Sequence, residues 1–453
     1  MEALQEYLNV VSAWVWGPYM LLLLVGTGVY LTFRLLFLQF RLLPFALKQA
    51  FWPHKGAKDG SQEGDISHFA ALMTALSATI GTGNIAGVAT AVVAGGPGAV
   101  FWMWITAIFG MATKYAEGIL AVKYRTTNSK GEMSGGPMYY IEKGLNWKWL
   151  AIAFALFGTL ASFGIGSSVQ SNSVAQSITT SFAIPGWITG IVLTVLTAIV
   201  ILGGIKSIAR ASSLIVPFMA IFYVLGGLII IGLHLDLLGK AFTLILTDAF
   251  TGQAVAGGAI GTVIRYGVAR GVFSNEAGMG SAPIAAAAAK TDHPARQALV
   301  SMTGTFLDTI IVCSITGLVL VIGYIMAGNS FEGQSGAALT TVFFNKLMPG
   351  PGGWIVTFGL IFFAYSTILG WCYYGEKCAA YLLGEWFVLP YRVIYVASVM
   401  LGTVVSLDLV WLAADTFNGL MAIPNLIALL LLSGVVASET RDFLEKRKSG
   451  ELY

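Results

Sequence analysis

Ser77-Ala-Thr-Ile-Gly-Thr-Gly-Asn-Ile-Ala-Gly-Val88 interrupts an otherwise apolar helix with Gly81, Thr82, Gly83 and Asn84. A second patch, Phe273-Ser-Asn-Glu-Ala-Gly-Met-Gly280 followed by Pro283, occupies the corresponding place in the other half of the chain. Glycine costs roughly 1 kcal/mol against alanine in a helix interior, and Thr and Asn side chains compete for the same backbone groups. Both patches therefore predict unwound backbone. Inside a bilayer such backbone is tolerated only where protein or a water-filled cavity satisfies its N–H and C=O groups. Paired interruptions in two halves of a polytopic chain mark the binding site of a secondary transporter.

Composition supports the membrane setting. The 453 residues are 57% hydrophobic and 10% charged, with a mean hydropathy of +0.78. That is too little charge to cover a water-soluble surface of this size. The net charge of +3 is scattered between apolar runs and offers nucleic acid no patch. Cys313, Cys372 and Cys378 lack metal-ligand spacing and read as small packing residues. Glu2 and Glu6 precede the first basic residue, Arg34, so no cleavable signal peptide is expected.

Apolar runs of about 20 residues predict an all-α membrane protein with eleven spans. The first covers about 14–37 and leads into a polar loop, 48–65. Ten core spans follow near 67–94, 98–123, 149–182, 186–203, 211–233, 253–289, 299–328, 352–383, 391–407 and 409–436. The expected organisation is an N-terminal span and loop (1–65), core helices 1–5 (66–235), core helices 6–10 (236–436) and a tail (437–453). Because five is odd, the two sets enter the membrane from opposite sides, as an inverted repeat does. Alternating the loops gathers Arg41, Lys48, Lys55, Lys58, Lys114, Lys123, Arg125, Arg210, Lys377, Arg441 and Lys446 to Lys448 on one face, against Lys240 and Lys346 on the other. The positive-inside rule then puts the N-terminus outside and the tail in the cytoplasm of a plasma-membrane protein. Trp14, Trp16, Trp102, Trp104, Trp187, Trp354 and Trp411 read as an interfacial belt.

A half-helix that begins after Gly83 offers N–H groups and a positive dipole end to a carboxylate. The half-helix that ends before Gly81 offers carbonyls to a cation. One break thus serves both an anionic group and a metal ion. Gly87, Gly95, Gly96 and Gly98 read instead as close helix contacts. Glu276, an acidic residue at membrane depth, is either a ligand for a cation or ammonium, or a structural group bonding the unwound backbone. Arg270 and Asp415 form a candidate outer gate, with Arg265 and Asp308 as further charges. The amphipathic stretch Phe331–Leu347 is a candidate lid.

At Gly81-Thr-Gly-Asn-Ile-Ala-Gly-Val-Ala89 and Ser274-Asn-Glu-Ala-Gly-Met-Gly-Ser-Ala-Pro283 the chain resembles the alanine or glycine:cation symporter family, over essentially its whole length. The resemblance implies a LeuT-like fold of five plus five inverted helices and import of L-alanine, glycine and sometimes related small amino acids, driven by sodium or occasionally protons, with D-alanine a further candidate substrate here. It places the substrate carboxylate on backbone N–H groups of Thr82 and Gly83, and the ammonium near Thr79, Phe273 and Ser274. Phe273 corresponds to an aromatic lid and Met279 to a pocket wall. Asn84 corresponds to a sodium ligand beside the carboxylate. A second sodium site corresponds to Ser366 and Thr367 with carbonyls of Ser77, Ile80 and Phe363. Trp371, one turn beyond Thr367 on the same face, points at the substrate and shrinks the pocket. Gln170 is the candidate side chain reaching the ligand, near where better-known relatives carry a tyrosine, and Glu276, also counted with the substrate-binding residues, stands where a small polar residue is common.

Proton coupling through Glu276 or Asp308 is the alternative. An intramembrane enzyme is excluded by the pattern: His54, His68, His234 and His293 lie in loops or at span ends, and no phosphate-binding loop occurs. No repeated filter segment suggests a channel. Oligomeric state is not legible.

Overall fold

The computed structural model describes residues 2–52, 63–251, 260–404 and 408–452. His54, Lys55, Lys58 and the start of the 253–289 span lie outside the described residues, and the Trp411 side chain is not described.

The fold is helical apart from a short hairpin, β1 (Thr126–Thr127) with β2 (Met133–Ser134). In chain order the helices are α1 (Glu2–Val15), α2 (Pro18–Arg34), α3 (Leu38–Phe51), α4 (His68–Thr79), α5 (Gly83–Gly95), α6 (Ala99–Lys123), α7 (Pro137–Leu145), α8 (Lys148–Phe182), α9 (Gly186–Ile201) and α10 (Gly204–Leu233). They continue as α11 (Leu235–Thr251), α12 (Ile260–Asn275), α13 (Ala282–Ala286), α14 (Pro294–Met326), α15 (Gly336–Leu347), α16 (Pro351–Leu383), α17 (Val388–Val404), α18 (Asp408–Leu431) and α19 (Ser433–Ser449).

Among the described residues, eight helices are long and apolar enough to cross a membrane, and the bent pair α4–α5 makes a ninth. Two of the eleven expected spans fall short of that criterion. Helix α9 has 16 residues, and the 253–289 span is divided into α12 and α13 by its own break. The expected first span begins earlier, because α1 and α2 together form one apolar stretch from Gln5 to Arg34.

Three expected loops are helices. In α11, apolar Leu237, Leu238, Ala241, Ile245 and Ala249 recur at helical spacing between Asp236, Lys240 and Asp248. Such a helix lies along an interface rather than crossing it. It packs over the start of α6, where the Gly98 N–H donates to Asp248 Oδ2 at 2.8 Å. Helices α3 and α7 are likewise short and amphipathic. The charge map also needs correction. Lys114 is inside α6, Lys377 inside α16 and Arg210 inside α10, so none of the three is a loop charge. Trp16 leaves the expected belt: it is buried and donates to Asp415 O at 3.1 Å.

Both predicted breaks are present. Helix α4 starts on Ser67, whose Oγ accepts from Ala70 N at 3.2 Å, and stops at Thr79. Ile80 is extended, and α5 resumes with a π-turn over Gly83–Gly87, bent 53° from α4. Between α12 and α13, Glu276, Gly278 and Gly280 have φ of +56°, +88° and +83°, and Pro283 sits in the first turn of α13, where its missing N–H costs nothing. Two intact spans carry π-turns of their own, α8 over Ser162–Ser168 and α14 over Phe306–Cys313.

Close approach of α6 to α12 depends on glycine. A Cβ at Gly267 would stand 2.6 Å from both Ala99 O and Trp102 Cβ. Gly267→Val should destabilise the fold by about 1–3 kcal/mol. Gly232→Ala, in α10 with nothing within 4 Å of the added methyl, should stabilise it by roughly 0.5–1 kcal/mol. Thermal unfolding in detergent separates the two: the valine variant melts below the parent, the alanine variant at or above it.

Candidate functional site

Where α4 ends, its last carbonyls meet α16. Thr367 Oγ1 donates to Phe363 O at 3.0 Å and reaches Ile80 O at 3.4 Å across the interface. Ser366 Oγ donates to Phe363 O at 2.9 Å. A Cβ at Gly370 would stand 2.7 Å from Ser77 Oγ, so Ser77 faces the next turn of α16. Ser77, Ile80, Phe363, Ser366 and Thr367 therefore come together, and all are buried. Gly81 is needed for this approach, since its Cβ would lie 2.5 Å from Thr367 Oγ1. The chemistry on offer is carbonyl and hydroxyl oxygen without formal charge, a donor set that suits a monovalent cation that must also leave.

A second polar knot lies on the far side of the break. Asn84 Oδ1 accepts from Gly81 N at 2.9 Å, and Nδ2 donates to Asp308 Oδ1 at 2.7 Å. Asp308 Oδ2 accepts from Ser274 Oγ at 2.9 Å and Thr309 Oγ1 at 2.7 Å. The sequence offers Asp308 only as a counter-charge or proton carrier. The structure makes it the hub joining α5, α12 and α14, fully buried within the π-turn of α14.

Above these knots lies a cavity of about 360 Å³, lined by Thr82, Gly83, Phe273, Arg270 and Asp415 together with Gln5 and Asn9 of α1. The Phe273 ring covers Gly83, whose Cβ would lie 3.3 Å from it. The Arg270 guanidinium is 5.6 Å from the ring centroid. Arg270 and Asp415 thus share the mouth without forming an ion pair within 4.0 Å. Gln170 Oε1 accepts from Thr82 N at 3.4 Å while Nε2 donates to Ile165 O at 3.1 Å, so it occupies the N–H that the carboxylate was expected to use. Thr79 is buried on its own helix, with Oγ1 donating to Leu76 O at 3.4 Å.

Two expected pocket residues sit elsewhere. Met279 and Trp371 are buried in the main core cluster and are not in the lining of this cavity. Trp371 stacks edgewise on Tyr374 with centroids 5.7 Å apart. The face of α16 that carries Thr367 runs on into the core, so one turn further is already beneath the site. Glu276 also points away from the cavity: its Oε2 accepts from Ser281 Oγ at 2.5 Å, across the break it belongs to.

The residue that holds the second break was not expected. Glu117 of α6 accepts at Oε1 from Gly278 N and Gly280 N, both at 3.1 Å, and from Asn425 Nδ2 of α18 at 2.7 Å. Asn425 also donates to Gly278 O at 2.9 Å and accepts from Tyr140 of α7. The available signal was an acidic residue at membrane depth in the 98–123 span, three positions after Lys114.

An apolar helical bundle with two spans unwound around one buried polar site, beneath a cavity open to one end, is the architecture of a membrane solute carrier. The chain belongs to the sodium:alanine symporter family, whose model matches residues 1–453; it is a multi-pass membrane transporter and not an enzyme. It is 62% identical over 97% of both chains to the sodium/alanine symporter AgcS of Methanococcus maripaludis. It is 38% identical, over 98% of this chain and 93% of the other, to the putative sodium/proton-dependent alanine carrier protein YrbD of Bacillus subtilis. The fold resembles the crystal structure of MhsT in complex with L-phenylalanine, at a TM-score of 0.61 and 16% identity, covering 84% of this chain and 93% of that one. The architecture is LeuT-like.

Glu117→Ala removes what is, among the described residues, the only acceptor of the Gly278 and Gly280 N–H groups, and takes one of the two acceptors from the Asn425 amide nitrogen. Each buried donor left unpaired costs roughly 1–3 kcal/mol, so a fall in melting temperature of several degrees is expected in detergent. Glu117→Gln, which keeps an acceptor oxygen, should lose less. Equal melting of Glu117→Ala and parent would show that the break holds itself.

Proposed function

We propose that this chain imports small neutral amino acids, L-alanine and glycine, together with sodium, by alternating access. The observation that carries the reading is the pairing at one break: carbonyl and hydroxyl oxygens of Ser77, Ile80, Phe363, Ser366 and Thr367 on one side, and the start of α5 at Gly83, with Thr82 before it, lining a cavity on the other. Sodium at the first group would tie α4 to α16. A second sodium would sit near Asn84 and Ser274, against the Asp308 carboxylate. The substrate carboxylate would displace Gln170 from the Thr82 N–H, and its ammonium would lie near Thr79 and Ser274. Phe273 would close over alanine or glycine bound at Gly83, and D-alanine tests how the pocket reads the α-carbon.

The same reading includes eleven spans, counting α9 and the α12–α13 pair. It includes two inverted units at 66–235 and 236–436, flanked by an N-terminal span with its loop (1–65) and a tail (437–453). The N-terminus and the cavity mouth face outside the cell, the tail the cytoplasm, in a plasma-membrane protein. Helix α15 fits the lid role: Thr340 Oγ1 donates to Ile85 O of the π-turn at 3.2 Å.

Coupling to protons is the second reading. It is favoured by two carboxylates, Asp308 and Glu276, buried at the breaks, and by the sodium/proton-dependent name of one relative.

Purified protein in proteoliposomes distinguishes them. Alanine accumulation driven by a sodium gradient is expected, with Thr367→Ala raising the sodium requirement about tenfold, the loss of roughly 1.4 kcal/mol of ion binding. Asn84→Ala should act in the same direction. Accumulation in choline under a proton gradient alone would replace sodium by protons. No alanine uptake under either gradient would overturn the substrate assignment.

A further inference from the structure

Lys114 is the most anomalous charge in the molecule. It occupies the sixteenth position of the 25-residue α6 and is 3% exposed. At 1.5 Å per residue the nearer helix end is about 14 Å away, farther than its four-carbon stem can carry the ammonium. Among the described residues it makes no hydrogen bond and no ion pair. An unpaired ammonium at such depth would ordinarily be expelled or neutralised.

Its surroundings explain why it stays. On the same face of α6, Gly110 packs against Ala277, where a Cβ would meet that residue at 2.9 Å, and Gly118 packs against Ala298 at 2.8 Å. Lys114 is one turn from each, so it faces the gap between the α12–α13 break and α14. The charges that act on it there are the carboxylates of Glu117, Glu276 and Asp308. Glu117 spends Oε1 on three donors and leaves Oε2 without a partner. Glu276 has Ser281. Among the described residues the buried Tyr374 hydroxyl, near Glu276 and Glu117, also lacks a partner. Orphaned buried polar atoms of both signs, gathered in one place, call for an ion or water.

We propose that Lys114 is a tethered cation: from the gap between the α12–α13 break and α14, without direct contact, its ammonium supplies the positive charge that the carboxylates of Glu117, Glu276 and Asp308 would otherwise draw from solution, so that this gap takes no free ion. One ammonium among three carboxylates still leaves the cluster short of positive charge, and Asp308, which accepts from Asn84 and Ser274, is the member in contact with the second sodium site proposed above. Lys114 would thereby limit how many cations accompany each substrate. The ion-counting part rests on the sodium-coupled reading above; the occupancy of the site does not.

Thermal unfolding in detergent tests the occupancy without any transport. Lys114→Ala should melt lower than the parent in choline chloride, and methylammonium or sodium, small enough to enter the vacated site, should restore most of the loss. Lys114→Met fills the space without charge and should not be restored. In Lys114→Met/Glu276→Gln, removing a carboxylate along with the ammonium should recover stability that Lys114→Met loses. If Lys114→Ala does not fold, the double variant alone decides the matter: better folding than Lys114→Met supports the site. Overturning results are Lys114→Met melting like the parent, or no recovery in both the cation arm and the double variant. In proteoliposomes, Lys114→Ala should take up alanine with a steeper dependence on sodium than the parent. A parent that ignores sodium would sink the coupling reading while leaving the melting result to stand.

Discussion

Everything in this protein is arranged around backbone that has left the helix where no solvent can receive it. An unsatisfied N–H or C=O in hydrocarbon costs several kcal/mol, so each unwound segment must be met by side chains brought from elsewhere in the fold. The first break is met by Asn84, Gln170 and Thr367. The second is met by Glu117 and Asn425. These contacts join α6, α8, α16 and α18 to the breaks, and they explain why those helices pack where they do.

The two solutions differ in kind. Around the first break the partners are neutral apart from Asp308, and several groups bond only their own preceding turn, as Ser366 does. Neutral, locally satisfied oxygens can be lent to an ion and recovered. Around the second break one carboxylate oxygen is committed to three donors at once. That end is therefore a fixed point, and on the function proposed above the first break is the place where ligands are exchanged. The π-turns in α8 and α14 adjoin this exchange region, as such turns commonly do at functional sites.

The sequence was most informative where chemistry and setting conflict. Gly81, Gly83, Gly278 and Gly280 amid apolar runs betray both breaks, and long apolar stretches betray nine spans. Helices α3, α7 and α11 were hidden because they never sustain an apolar run, and their signal is periodicity alone. Glu117 and Asn425 were hidden for another reason. Their partners are backbone groups 147 to 163 positions away for Gly278 and Gly280, and a backbone N–H has no residue type to announce it. Trp371 was misplaced because helical spacing fixes a face but not the depth at which that face leaves the cavity. Lys114 was misread as a loop charge by the same alternation that ordered the remaining charges.

Glu276 holds a left-handed conformation at φ +56°, in a loop where the chain already uses glycine twice for that purpose. For a residue with a Cβ this handedness costs roughly 1–2 kcal/mol. A glycine at 276 would remove that cost, but the chain carries a carboxylate there. Comfort of the main chain has thus been subordinated to the presence of an acid at that point, whose carboxylate bonds Ser281 across the same break.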